Sequence, residues 1–274
     1  MLKKYALAAV LAINLAGCGG GGGSGTPTPT STTAAGPAPA HKTHATIYLD
    51  EDSTGYGADI DSPNKVQYPG IGNGIAGRVD PSPAQMMQAD FDAALGAGVV
   101  TVIDGSIPGG TLMHSLQGLA PDTAPLATRL AQLTTPADIV ITNSEINDQY
   151  VLGENVSTYI TWMQQWISTV TAAGAVPVYA EPNPICRSDM NLADPQTGTN
   201  ALVAAADQLF GASGYTALPN LANFENYTTP PNPQPWNIAF MSSDCVHPND
   251  AGYAFKEKNY FAALLPVVRK MLGR

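Results

Sequence analysis

Apolar residues in this chain follow two spacings in turn, short β-rich runs and longer stretches of helical period, from residue 45 to the end. Ala45–Leu49 is an apolar run that stops at the acidic cluster Asp50-Glu51-Asp52, as a buried strand and its exit loop do. Met86, Met87, Phe91 and Leu95 recur at helical spacing, and Gly96 and Gly98 close a helix predicted over residues 83–95. Val99–Ile103 predicts a second strand, residues 126–133 a short helix, and Asp138–Thr142 a third strand. A longer helix is predicted from Val156 to Ala173, with Gly174 as its stop; Tyr159, Trp162, Met163, Trp166 and Val170 form its apolar stripe, expected to face a sheet rather than a ligand. Ala175–Ala180 gives a fourth strand, residues 200–210 a helix, and residues 248–272 a long closing helix.

Strands alternating with helices predict an α/β fold: a three-layer α/β/α sandwich around a mostly parallel sheet of about five strands, covered on both faces. Residues 182–198 and 212–243 are rich in Pro, Asn and Gly and are expected to be loops, with room for a short fifth strand. Such loops lie beyond strand ends, where open α/β sheets bind ligands.

The pattern is different before residue 43. Lys3 and Lys4 precede an apolar run from Tyr5 to Leu15, and Leu15-Ala16-Gly17-Cys18 follows. This segment resembles the leader and lipobox of bacterial lipoproteins. The resemblance implies that residues 1–18 are a signal peptide ending at a lipidated Cys18, which anchors the chain to a membrane of the cell envelope. Gly19, rather than Asp, implies onward sorting to the outer membrane. Up to residue 40 the next segment holds only Gly, Ser, Thr, Pro and Ala, too little apolar surface to offset its ordering entropy. Residues 19–42 are therefore expected to be a disordered tether, and residues 43–274 the globular domain.

The net charge of −10 argues against nucleic acid and anionic lipid surfaces as partners, since both require basic patches. Apart from Cys18, the cysteines are Cys186 and Cys245. Outside the cytoplasm two such residues are expected to pair, the alternative being two buried thiols. A bridge would close a loop of about 60 residues and contribute roughly 4 kcal/mol in the chain-entropy account. It would also pin a chemically suggestive loop to the segment after Glu181.

That loop is Ser243-Asp244-Cys245-Val246-His247-Pro248, which places a carboxylate three residues ahead of an imidazole. A carboxylate that accepts one ring N–H fixes the tautomer and leaves the other nitrogen free to take a proton. The competing reading is a helix start, with Pro248 in the first turn and Asp250 favourable there. Three further blocks lie at strand ends. Asp50-Glu51-Asp52-Ser53-Thr54-Gly55 offers a hydroxyl nucleophile. The run from Asp104 to Thr111 contains Gly109, where a backbone N–H can approach a ligand closely. Asn143-Ser144-Glu145-Ile146-Asn147-Asp148 offers a side-chain amide.

Four blocks in this order resemble the SGNH (GDSL-like) hydrolase family, over about residues 46–262. The resemblance implies a flavodoxin-like fold and an esterase mechanism with Ser53 as nucleophile, His247 as base and Asp244 as its orienting group. The backbone N–H groups of Ser53 and Gly109, with the Asn147 amide, form the implied oxyanion hole. The implied partner is an ester, whether small molecule, lipid or acylated glycan, acted on by a monomer without metal or cofactor. The family has glycine where Glu51 and Glu145 stand here. Both carboxylates are expected at the crevice rim, sharing a proton, raising the pKa of His247 or touching substrate; the bland alternative points them to solvent or to loop N–H groups. Trp236, in a Pro-rich loop without helical periodicity, is a candidate for stacking on substrate.

Other readings compete. Asp50-x-Asp52-x-Thr54 also resembles the first motif of haloacid-dehalogenase-type phosphatases, where the first Asp is phosphorylated beside Mg²⁺. A non-catalytic lipoprotein of the same fold could bind surface glycan or protein. Gly72-Asn73-Gly74-Ile75-Ala76-Gly77 matches a dinucleotide fingerprint, but prolines flank it and it is expected to be a loop over the site. His41, His44 and His114 lack metal-ligand spacing.

Overall fold

The computed structural model describes residues 41–67, 75–187, 194, 196, 198–221, 224 and 238–274. The first strand, β1 (Ala45–Leu49), runs into a one-turn helix, α1 (Ser53–Tyr56), and then into β2 (Lys65–Gln67) and β3 (Ile75–Gly77), an antiparallel pair. Alternation follows: α2 (Pro83–Leu95), β4 (Val100–Asp104), α3 (Leu112–Gln117), α4 (Leu126–Ala131), β5 (Ile139–Thr142), α5 (Glu145–Tyr150), α6 (Val156–Ala172) and β6 (Val176–Ala180). After these come α7 (Thr199–Ser213), β7 (Thr216–Leu218), a 3-10 turn at Ile238–Phe240, and α8 (Asp250–Leu272).

A five-stranded sheet takes the order β4-β1-β5-β6-β7, with every neighbouring pair parallel. The direction of winding reverses beside β1, and a crevice opens at such a switch point outside the carboxyl ends of the strands. Alternate residues of β1 serve the two faces: Ile47 and Leu49 pack with Phe91, Tyr260, Leu264 and Val268, while Tyr48 packs with Tyr159, Met163, Trp166 and Val170. The predicted apolar stripe of α6 is thus core, with Trp162 only partly buried. The result is the three-layer α/β/α sandwich that the alternation predicts.

The structure departs from the sequence pattern at small elements. Ile75–Gly77 is a strand rather than a loop, and Gly77 has no room for a side chain, since a Cβ would stand 1.8 Å from the carbonyl oxygen of Asp59. Gly72–Gly74 lie outside the described residues. The closing helix starts after Pro248, not at it: Asn249 is its cap and accepts the Gly252 N–H at 3.1 Å. At the amino ends of the strands, where the compact unit begins at His41, Lys42 pairs with Asp138 and its N–H donates to the Met271 carbonyl at 3.2 Å.

Below α1 the chain buries a charge pair. Lys256 Nζ lies 3.5 Å from Glu51 Oε2 and donates to the Thr54 carbonyl at 2.9 Å, and both side chains are closed to solvent. Gly55 makes the room, because a Cβ there would meet the Glu51 side chain at 2.2 Å. Removing one partner of a buried pair leaves an uncompensated charge. Lys256→Met is therefore expected to destabilise the fold by about 3–5 kcal/mol in urea unfolding, and Glu51→Gln/Lys256→Met by clearly less. Equal losses in the two variants would show that Glu51 and Lys256 are not coupled.

Candidate active site

Ser53 opens α1 at the carboxyl end of β1. The turn is built by Asp52, the helix cap, whose Oδ1 accepts the Thr54 N–H at 2.7 Å and the Thr54 hydroxyl at 2.8 Å. Asn143, just after β5, fastens it from the side: its Oδ1 accepts the Asp52 N–H at 3.1 Å and its Nδ2 donates to Thr54 Oγ1 at 2.8 Å. Two adjacent strand ends thus hold the serine in place.

His247 arrives from the far end of the chain. Its Nε2 lies 2.8 Å from Ser53 Oγ and its Nδ1 lies 2.5 Å from Asp244 Oδ2. Asp244 Oδ1 accepts the N–H groups of Val246 at 2.9 Å and His247 at 3.0 Å, and the Ser242 hydroxyl at 3.1 Å. Burial opposes ionisation of Asp244, but the bond and charge of His247, with the two N–H groups, outweigh it and hold the carboxyl well below the usual carboxylate range. Asp244 is therefore an anion when it orients the imidazole: it accepts the Nδ1–H and leaves Nε2 free to take a proton from Ser53 Oγ without rearrangement.

The loop between these residues is tightly held. Cys245 adopts φ 59°, in the left-handed region few non-glycine residues enter, and it is disulfide-bonded to Cys186. Cys186 donates its N–H to the Cys245 carbonyl at 2.9 Å, and Asn183 Nδ2 donates to the Val246 carbonyl at 2.8 Å.

Gly109, at φ 79°, and Asn147 face the same space. Asn147 Nδ2 donates to the Gly110 carbonyl at 3.0 Å and reaches Asp52 Oδ2 at 3.3 Å. Ser53, Gly109, Asn147, Asp244 and His247 line one cleft of about 230 Å³, whose walls are completed by Pro108, Ile146, Tyr150, Val246 and Arg187. The wall residues went unnoticed in the sequence. Ile146 and Tyr150 flank Asn147 on α5, a helix of six residues that is too short to show a periodic signal in the sequence.

Glu51 and Glu145 are not rim residues. Glu51 lies under α1 beside Lys256, and Glu145 is fully buried, its Oε1 accepting the Tyr159 hydroxyl at 2.5 Å. Their carboxylates face the core, out of reach of a substrate and of solvent, because Gly55 and Tyr159 provide space and a donor inside. Trp236 and Cys18 lie outside the described residues. His44 Nδ1 lies 3.0 Å from the Gly98 carbonyl and its Nε2 lies 3.3 Å from the Thr46 hydroxyl, so its ring serves the fold near the start of β1.

Asp50 is already saturated. It takes Arg129 Nη2 at 2.8 Å on one oxygen, and Ser115 Oγ and Trp166 Nε1, each at 2.8 Å, on the other. A carboxylate so engaged and buried ties three helices to β1 and cannot attack a phosphate, and Asp52 is committed to Thr54. The phosphatase reading loses both of its groups. Among the described residues no cluster of three His, Cys, Asp or Glu side chains has the geometry to hold a metal ion.

The sequence matches no protein-family model and no curated relative. Solved structures match it instead. A lipase/acylhydrolase from Enterococcus faecalis is 22% identical over 84% of this chain and 96% of its own, with a TM-score of 0.57. A carbohydrate acetylesterase family member from Sinorhizobium meliloti is 18% identical over 84% of this chain and 100% of its own, TM-score 0.55. The acetyl xylan esterase AlAXEase is 15% identical over 80% of this chain and 99% of its own, TM-score 0.55. The chain shares their fold.

Acids buried around the site set the pH response of the fold. Burial pushes Glu154 up to about 7 against the favourable influence of the nearby Trp162 N–H, and pushes Glu257 up to about 8 against the charge of Lys256. An unfolded glutamate titrates near ~4.3. Between about pH 5 and 8 the folded state therefore holds more protons than the unfolded state, and stability falls as pH rises. The depressed Asp244 contributes stability above its unfolded value, lost only in stronger acid, so it leaves this slope unchanged. The thermal midpoint is expected to be lower at pH 8 than at pH 6, with a smaller difference in Glu257→Gln. A midpoint rising over that interval would contradict this account.

Proposed function

We propose that the protein is a serine hydrolase of the SGNH type that cleaves carboxylic esters, with Ser53, His247 and Asp244 as its triad. The hydrogen-bonded relay of these three side chains in one cleft carries the reading. His247 Nε2 takes the Ser53 proton as Oγ attacks the ester carbonyl, and returns it to the leaving alcohol when the acyl-enzyme forms. Water then attacks the acyl group by the same route and frees Ser53. Negative charge on the carbonyl oxygen is met by the N–H groups of Ser53 and Gly109 and by the Asn147 amide, which gives up its longer contact to Asp52. The names of the structures sharing the fold, an acylhydrolase and two acetylesterases, support ester cleavage.

The cleft, about 230 Å³, is below the span of roughly 300–1,000 Å³ usual for ligand pockets, which favours a short acyl group. For the whole chain we infer a signal peptide over residues 1–18, a lipid anchor at Cys18, a tether over residues 19–42, and a monomeric hydrolase domain over residues 43–274 at the outer membrane. Among the described residues no helix is long and apolar enough to cross a membrane.

Ser53→Ala is expected to abolish fluorophosphonate labelling and ester turnover, and turnover at the wild-type rate in that variant would refute the triad. Asn147→Ala is expected to lower kcat about a hundred- to a thousandfold. Across a p-nitrophenyl ester series, kcat/KM is expected to fall from acetyl to octanoyl; the reverse trend would reject the short-acyl assignment.

A further inference from the structure

Two segments must keep a fixed distance for this reaction: the one that carries Ser53 and the loop that carries His247. The disulfide and Asn183 tie that loop to the stretch after β6, which supplies no member of the triad. A different contact ties it to the nucleophile's own segment. Asp61, which follows α1, accepts the Ser243 N–H on Oδ2 at 2.5 Å and the Ser243 hydroxyl on Oδ1 at 2.6 Å. Ser243 is the immediate neighbour of Asp244.

Asp61 is itself well supported. Its N–H donates to Asp59 Oδ1 at 2.9 Å, and the Asp59 N–H donates to the Gly77 carbonyl of β3 at 3.0 Å. The Ser62 hydroxyl donates to the Arg78 carbonyl at 2.8 Å, and Tyr253 of α8 holds the Ala58 carbonyl at 2.7 Å. The β2–β3 pair is thus the backing of a small plate that runs on from α1. Its one carboxylate aimed at the Ser242–His247 loop makes a two-point grip on it. The two Ser243 bonds hold Asp61 below the usual carboxylate range against the nearby charge of Asp244, while Lys65 favours the anion.

We propose that Asp61 is a positioning residue for this hydrolysis: through Ser243 it sets the separation of the nucleophile from its base. The inference rests on the triad reading. It assigns no chemical step to Asp61, which touches neither Ser53 nor the cleft lining. Losing the grip lets the loop drift along a direction the disulfide does not restrain, so the fraction of molecules with Ser53 and His247 in hydrogen-bond contact falls. The effect belongs to kcat, since the cleft walls stay in place.

The test compares Asp61→Ala, Asp61→Asn and Ser243→Ala in the full chain with one short-chain ester. Asp61→Ala is expected to lower kcat several-fold, less than the loss of a buried charge-assisted hydrogen bond because both partners are exposed to water, with KM within twofold and fluorophosphonate labelling slowed in parallel. Asp61→Asn is expected to recover most of the rate, because its amide oxygen accepts the Ser243 N–H and its amide N–H reaches the Ser243 oxygen. Ser243→Ala is expected to lose less than Asp61→Ala, and the double variant no more than Asp61→Ala alone. Wild-type kcat in Asp61→Ala, or a loss shared equally with Asp61→Asn, would overturn the proposal. If Asp61→Ala does not fold, the Asn and Ser243 variants decide: wild-type kcat in Ser243→Ala would overturn it, and a partial loss with an unchanged melting midpoint would support it. An active Ser53→Ala removes the triad reading itself, whereas an inactive Ser53→Ala beside a normal Asp61→Ala removes only this inference.

Discussion

A hydrogen bond of 2.8 Å between side chains 194 residues apart is the contact for which the rest of the molecule is arranged. Neither partner can reach the other by local folding. Ser53 is delivered by β1, an interior strand paired on both sides, and His247 by a loop held between the last helix and the stretch after β6. Joining such distant segments costs loop-closure entropy, which grows slowly with length, while the penalty for imprecision at the contact is steep. The chain concentrates its fixed points accordingly: a cap and an asparagine at the serine, a covalent bridge and a carboxylate at the histidine.

Much of the site was legible because three of its four blocks directly follow apolar runs that read as strands. Ile47 and Leu49 locate β1, and Ser53 follows; Ile139–Thr142 locates β5, and Asn147 follows. The pieces that escaped have no periodic signal. α1 and α5 are too short to show a helical repeat, and α1 is fixed by its cap Asp52 rather than by pattern. β2 and β3 are three residues each, stabilised by pairing that no local composition reveals.

Glu51 and Glu145 were misplaced for a related reason. A carboxylate in a usual glycine position suggests exposure, because a buried charge needs a partner and none is adjacent in sequence. The partners exist, but distant elements supply them: Lys256 from α8 and Tyr159 from α6. Asp50 shows the same principle in its complete form, with Arg129, Ser115 and Trp166 converging from three helices. An acidic chain can thus place carboxylates directly behind its reactive groups while leaving the cleft wall itself mostly apolar.

The seam at Lys42 lies well away from the cleft. Lys42 meets Asp138 and the Met271 carbonyl at the amino edge of the sheet, whereas Ser53 stands beyond the carboxyl edge, with the five extended residues of β1, roughly 17 Å, between the two edges. A perturbation at His41 therefore enters the domain at the opposite end of the strands from the Ser53–His247 contact.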